Sequence, residues 1–361
     1  MSQDLAVPAN DNIHPLDGQR HRKALITGGA GFIGSHLAES LLAERWEVYA
    51  LDDVSTGSVE NVARLLDHPH FHLVVESVLS PAVVSELVHK VDVVYHLAAA
   101  VGVRLIVEKP VHTIVTNLQG TEIVVDYCAR FGKRVLVAST SEVYGDHREE
   151  RPLHEQARRV YGPTTARRWA YAGSKAMDEF LALAYHGERD LDCVIARLFN
   201  TVGPGQTGRY GMVIPSFVGN ALAGRPLDIH GDGTQTRCFC HVQDVIRAVR
   251  GLMEEPTTSG EVYNVGSTNR ISIASLAERV LEMTRSKSEL RFVPYEEVYG
   301  QGIEDMLHRI PSIEKIHAAI GWHPTLTLDR IISDVIDHQL TAQASETFRD
   351  EAAAAGGLAS R

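Results

Sequence analysis

From Lys23 to about Val137, short apolar runs rich in β-branched residues alternate with longer segments whose apolar positions recur at helical spacing. The short runs are Lys23–Thr27, Glu47–Leu51, Phe71–Val75, Val91–Leu97 and Arg134–Ala138; the helical segments include Ser35–Ala43 and Thr113–Ala129. The short runs show no apolar–polar alternation, the pattern of strands buried on both faces, which predicts a parallel sheet covered by helices. Repeated βα units of this kind predict an α/β, doubly wound fold.

After residue 200 the pattern loosens. GPGQTGRYG, AGRPLDIHGDGTQTR and EEPTTSGE are rich in glycine and turn residues, with helical segments such as Ile273–Thr284 between them. This predicts a smaller, loop-rich part over 201–340 that shapes a substrate pocket. The polar stretch 1–22 is expected to be a disordered tail and ETFRDEAAAAGGLASR, within 341–361, a mobile one.

Composition narrows the class. Of 361 residues, 44% are hydrophobic and 22% charged, which is globular rather than disordered. The formal net charge is −11, which argues against broad binding to nucleic-acid phosphates. No run approaches the roughly 20 apolar residues that span a bilayer, and residues 1–22 lack the apolar region of a secretory signal. Cys128, Cys193, Cys238 and Cys240 form neither a disulfide framework nor a metal-ligand set, so the expectation is a cytoplasmic protein with reduced thiols and no metal.

The strand at Ala24–Thr27 runs into Gly28-Gly29-Ala30-Gly31-Phe32-Ile33-Gly34 and then into an amphipathic helix. Glycines in the Gly28-x-x-Gly31-x-x-Gly34 spacing let the backbone turn tightly and approach a pyrophosphate, which rests on the N–H groups of the helix opened by Phe32 and Ile33. Asp52 ends the next strand, where an acid accepts hydrogen bonds from the adenosine ribose and disfavours an extra phosphate, so the expected cofactor is NAD. Asp53 competes for this role; its other reading is a solvated turn acid.

Tyr171 and Lys175 are four apart in the helical segment Arg168–Phe180 and share a face. A cation near a phenol lowers its pKa, and such a tyrosine can take a proton from a sugar hydroxyl while hydride leaves the same carbon. Ala138-Ser139-Thr140-Ser141-Glu142-Val143-Tyr144-Gly145 follows a strand directly. The carboxyl end of a parallel strand faces the ligand crevice, so Thr140 is placed to bind that hydroxyl, with Ser141 and Glu142 facing the sugar.

Together, TGGAGFIG, Asp52, HLAA (His96–Ala99), Asn117 in TNLQGT, STSEVYG, YAGSK and RLFNTVGPG resemble the extended short-chain dehydrogenase/reductase family, in the branch that modifies nucleotide sugars. The resemblance covers about residues 23–340. It implies a Rossmann-like NAD-binding domain over 23–200, a smaller α/β C-terminal substrate domain, and a homodimer. Carried over by position, it implies Thr140, Tyr171 and Lys175 as the catalytic triad, and Gly28, Gly31, Gly34 and Asp52 on NAD. It further implies Ser77 and Val78 at the adenine, Ala98 and Asn117 along the cofactor, and Asn200 and Arg237 on the substrate diphosphate. Most members carry Asp where Ser77 stands.

The resemblance also implies a reaction that begins by oxidising the sugar at C4. Thr140-Ser141-Glu142, Arg168-Trp169 and His308–Ile313 are similar to UDP-glucuronate decarboxylases, with Arg309 acting at the sugar and Glu142 positioning it. Gly208–Phe217 is closer to sugar 4-epimerases, the alternative. A 4,6-dehydratase ranks below both, because Ser141 stands where dehydratases carry Asp. The expected substrate is a UDP-sugar. Apolar faces on Thr113–Arg130 (Val115, Leu118, Ile123, Val125) and Ala172–Tyr185 (Met177, Phe180, Leu181, Leu183) are candidates for a four-helix dimer interface.

Overall fold

The structure is a computed structural model that describes residues 21–102, 108–147, 149–208, 212–294, 297, 306 and 308–357, with side chains through residue 344. Its strands are β1 (Lys23–Thr27), β2 (Glu47–Asp52), β3 (Phe71–Val75), β4 (Val93–His96), β5 (Arg134–Thr140), β6 (Cys193–Leu198), β7 (Thr201–Val202), β8 (Leu227–His230), β9 (Thr236–Cys238), β10 (Cys240–His241), β11 (Glu261–Val265), β12 (Arg270–Ser272) and β13 (Leu290–Val293). The helices are α1 (Phe32–Ala43), α2 (Pro81–Lys90), α3 (Pro110–Phe131), α4 (Trp169–Arg189), α5 (Val213–Leu222), α6 (Val242–Glu254), α7 (Ile273–Thr284), α8 (Glu314–Ile320) and α9 (Leu328–Gly357).

Seven strands form one sheet in the order β11-β6-β5-β4-β1-β2-β3, every pairing parallel. The non-alternating apolar runs are explained by burial on both faces. On one side, Leu37 and Leu41 of α1, Val245 and Leu252 of α6 and Ile316 of α8 pack on the sheet. On the other lie Val84 and Val88 of α2, Val124 and Val125 of α3 and Ala182 of α4. Each fully buried leucine contributes roughly 1.5–3 kcal/mol relative to exposure. Strand order reverses between β1 and β4, which opens a crevice at the carboxyl ends of the strands.

A third cluster joins Ile214, Phe217 and Val218 of α5 to Leu276 and Val280 of α7 and Ile331, Ile332 and Val335 of α9. Short strand pairs, β8 with β13, β9 with β12 and β7 with β10, frame it. This is the smaller part expected after residue 200, but the division at that residue is corrected. Strand β11 pairs with β6 as the seventh strand of the first sheet, and α6 and α8 cover that sheet. The chain therefore returns to the first layer over 240–265 and 314–322, because the apolar stripe of α6 has its matching surface there rather than on the smaller part. Helix α9 runs to Gly357, through most of the stretch expected to be a loose tail, while residues 1–20 and 358–361 lie outside the described residues.

Candidate active site

A cavity of about 730 Å³ runs from the glycine loop, past the ends of β4, β5 and β6, to α5, β8 and β9. Gly28, Gly31, Phe32, Ile33, Gly34 and Asp52 line one end. Gly28 has φ +73° and a Cβ there would lie 2.9 Å from the Ala98 nitrogen. At Gly34 a Cβ would run into the Gly28 carbonyl. Both glycines are thus required by close backbone approach. Gly31 caps α1 in extended conformation with no side-chain hydrogen bond to the first turn, which leaves the helix start presenting backbone N–H groups.

Asp52 is buried, its carboxylate accepting from the Ala30 N–H at 2.9 Å and the Val54 N–H at 2.8 Å. Burial raises its pKa and these backbone donors oppose the rise. Asp53 binds the Ser55 N–H and hydroxyl in an exposed turn and also lines the cavity beside Asp52. Val78 and Ala98 line the cavity. Ser77 and Asn117 do not line it, a correction to their expected placement. Ser77 closes a turn through the Leu79 N–H. Asn117 is buried behind the wall, accepting from the Ala100 N–H at 2.8 Å and donating to the Ser174 hydroxyl at 3.1 Å, so it holds the 98–100 loop against α4. These residues present a helix start, a close-approach loop and a ribose-side acid in one cavity, which fits a dinucleotide.

Thr140, Ser141, Glu142, Tyr171 and Lys175 meet at the middle of the cavity. Thr140 ends β5 and caps the 3₁₀ turn Ser141–Tyr144; its side chain is hydrogen-bonded to the Tyr171 phenol. The expectation that Lys175 acidifies Tyr171 is corrected for the protein alone. The Lys175 ammonium lies 2.7 Å from the Asp178 carboxylate, both groups buried, because Asp178 sits one turn further along α4 and a buried carboxylate requires a cation. The Tyr171 pKa is instead raised, by burial first and then by the neighbouring Glu142 charge.

Arg309 arrives from a segment 167 residues after Glu142 and donates to its carboxylate, with the Ser141 hydroxyl at 3.4 Å and the Asn200 side-chain oxygen at 3.3 Å. Arg168 stands 3.7 Å from the other Glu142 oxygen. The sequence singled out Arg168-Trp169 by resemblance without giving Arg168 a role; the structure places it beside Glu142, three residues before Tyr171. Asn200 has φ +27° and donates to the Cys238 carbonyl. Arg237 lines the far end beside Phe239 and Ile273. All four cysteines are buried and free. Among the described residues, no cluster of three or more His, Cys, Asp or Glu could hold a metal, and no helix is long and apolar enough to cross a membrane.

A dinucleotide loop at a switch-point crevice, with a Tyr–Lys helix and a Thr-ended strand in the same cavity, defines a nicotinamide-dependent short-chain dehydrogenase/reductase. The chain belongs to the GDP-mannose 4,6 dehydratase family of extended enzymes of this type, whose model matches residues 25–335. It is 38% identical over 316 residues to the UDP-N-acetyl-alpha-D-glucosaminuronate decarboxylase of Bacillus cytotoxicus, covering 87% of this chain and 97% of the relative. It is 36% identical over 314 residues to UDP-glucuronic acid decarboxylase 6 of Arabidopsis thaliana, covering 86% of each. Among solved structures, UDP-glucuronic acid 4-epimerase of Bacillus cereus, crystallised with NAD and a fluorinated UDP-glucuronic acid, superposes with a TM-score of 0.79 at 28% identity, covering 88% of this chain and 98% of that one.

Proposed function

We propose that this protein is an NAD-dependent decarboxylase of a UDP-hexuronate, a UDP-glucuronate-type acid converted to the corresponding UDP-pentose. The observation that carries the reading is the contact of Arg309 with Glu142 and Ser141 on the wall that holds Thr140 and Tyr171. Two guanidiniums, Arg309 and Arg168, meet the Glu142 carboxylate there, and a guanidinium is suited to bind a substrate carboxylate by paired hydrogen bonds. The identity to two decarboxylases supports the same choice.

Bound NAD would supply the hydride acceptor for C4 and the donor for the final reduction. Gly28, Gly31, Phe32, Ile33, Gly34, Asp52, Val78 and Ala98 would hold it. Tyr171, with Thr140, takes the O4 proton as C4 becomes a keto group. The sugar is then a β-keto acid. Its C5–C6 bond breaks, C6 leaves as carbon dioxide, and the bonding pair passes through C5 to the C4 oxygen as an enolate. Arg309 stabilises that charge while Glu142 and Ser141 hold the guanidinium in place. A proton then returns to C5. Asn200 and Arg237 bind the diphosphate end.

A 4-epimerase is the second reading, supported by the Bacillus cereus likeness and by Gly208–Phe217, of which 209–211 lie outside the described residues. Purified protein incubated with UDP-glucuronate, UDP-N-acetylglucosaminuronate and UDP-glucose separates the two by product mass. Loss of carbon dioxide from either acid is the expected result; an unchanged mass with inverted C4 supports epimerisation.

The proposal includes a cytoplasmic homodimer. Val115, Met177 and Phe180 are exposed on adjoining faces of α3 and α4, apolar area that a second copy would cover. Val125, named with them from sequence, packs into the protein's own core instead. Sedimentation at micromolar concentration, repeated with Phe180→Glu, tests it.

A further inference from the structure

Asn264 lies far from the motifs that mark the site, in the edge strand β11, and its side chain is fully buried. Both hydrogens of its amide are used: Nδ2 donates to the Leu153 carbonyl at 2.8 Å and to the Ser312 carbonyl at 3.1 Å. Its Oδ1 accepts from the Tyr144 hydroxyl at 2.7 Å. Its backbone N–H donates to the Glu155 carboxylate at 2.9 Å. No other amino acid offers two donors and one acceptor on so short a side chain.

These partners belong to the two pieces of chain that carry Glu142 and Arg309. Tyr144 ends the 3₁₀ turn that begins with Ser141 and Glu142. Ser312 is three residues after Arg309, in a segment pinned to Leu153 by a parallel bridge, the Leu153 N–H donating to the Ile310 carbonyl at 2.7 Å and the Ser312 N–H to the Leu153 carbonyl at 2.9 Å. Asn264 thus ties the turn bearing Glu142 to the segment bearing Arg309 through one rigid amide. Arg197, itself buried against Glu179, donates to the Tyr144 hydroxyl from the other side and fixes it in place.

We infer that Asn264 is a positioning residue that sets Arg309 against Glu142 and Ser141, so that the step after C4 oxidation keeps pace with oxidation itself. The inference rests on the decarboxylase reading, since it assigns Arg309 to the second step. It separates two functions in one cavity. Thr140, Tyr171 and Lys175 stand on β5 and α4, which Asn264 does not touch, so C4 oxidation survives its loss. Arg309 stands on a segment that Leu153 and the His308–Thr236 contact also hold; what Asn264 adds is the register of that segment against the Glu142 turn, where a displacement on the order of 1 Å costs about a hundredfold in rate.

The test compares the parent, Arg309→Ala, Asn264→Ser and Tyr144→Phe, each with the same UDP-hexuronate and normalised to folded protein by its melting transition. Two products are counted by mass, the decarboxylated sugar and the released 4-keto sugar, together with the near-ultraviolet band of reduced nicotinamide. Asn264→Ser is expected to lower kcat for the decarboxylated product by about a hundredfold, to leave KM within a few-fold, and to release keto sugar with accumulating reduced cofactor, as Arg309→Ala does. Tyr144→Phe, which keeps its ring in the core but deletes the bond to Asn264, is expected to shift the same ratio less. A merely structural role would lower the melting temperature and leave the keto-to-final ratio at the parental value; that result overturns the inference, and Tyr144→Phe decides alone if Asn264→Ser does not fold. If the parent decarboxylates and Arg309→Ala alone shifts the ratio, only the inference fails. If the parent decarboxylates no uronate, the functional reading fails, and the inference with it.

Discussion

The Lys175 ammonium lies 2.7 Å from the Asp178 carboxylate, one turn further along the same helix, with both groups buried. The lysine that the Tyr-x-x-x-Lys spacing assigns to the phenol is therefore also the counter-ion of an acid that desolvation would otherwise hold neutral. Asp178 shows the strain of this placement: burial raises its pKa even against the lysine.

Removing Asp178 leaves a buried ammonium without its carboxylate, and removing Lys175 leaves a buried acid that must take up a proton. Asp178→Asn and Lys175→Met are each expected to destabilise the protein by about 3–5 kcal/mol, whereas Lys175→Met with Asp178→Leu recovers most of that loss. Urea titrations of the three variants measure it. The double variant is expected to stay inactive, because stability returns without the cation.

Tyr171→Phe deletes one hydroxyl and its bond to Thr140 while keeping the ring in place. Turnover of any accepted sugar nucleotide is expected to fall by about 10²–10⁴-fold, the scale of general acid–base catalysis, with the melting temperature within a few degrees of the parent. Product mass and a melting curve give both readings.

Gly34→Ala places a methyl group against the Gly28 carbonyl in the glycine loop. The loop must open to admit it, so the variant is expected to lose cofactor affinity by at least about tenfold. NAD released on denaturing the purified protein, against the parent, is the measure.

His96, at the end of β4, is buried between the Thr27 and Thr121 hydroxyls, and burial lowers its pKa to about 3 from 6.5. Between those values the unfolded chain binds a proton that the native protein excludes. Native stability therefore falls as pH drops from about 6.5 towards about 3, and is untouched by this group above that range. Melting temperatures of the parent and His96→Asn across that window are expected to converge towards acid, the parent losing more.

What the sequence by itself determined is whatever depends on neighbours along the chain. Double-sided burial wrote β1, β2, β4 and β5 as mainly apolar runs, while β3, at the sheet edge, is only partly buried. The close approach of Gly28 and Gly34 wrote the loop as glycines, and helical periodicity put Tyr171 and Lys175 on one face. Tertiary structure alone decided what depends on distant partners. It returned β11 and α6 to the first sheet, because their apolar faces fit only there. It moved Asn117 behind the cavity wall and gave Lys175 to Asp178, because buried polar groups take the partners that packing supplies. It brought Arg309 to Glu142 across 167 residues through the amide of Asn264. The family resemblance named both residues, but their spacing along the chain does not encode the meeting, which the sheet edge makes by holding the two segments together.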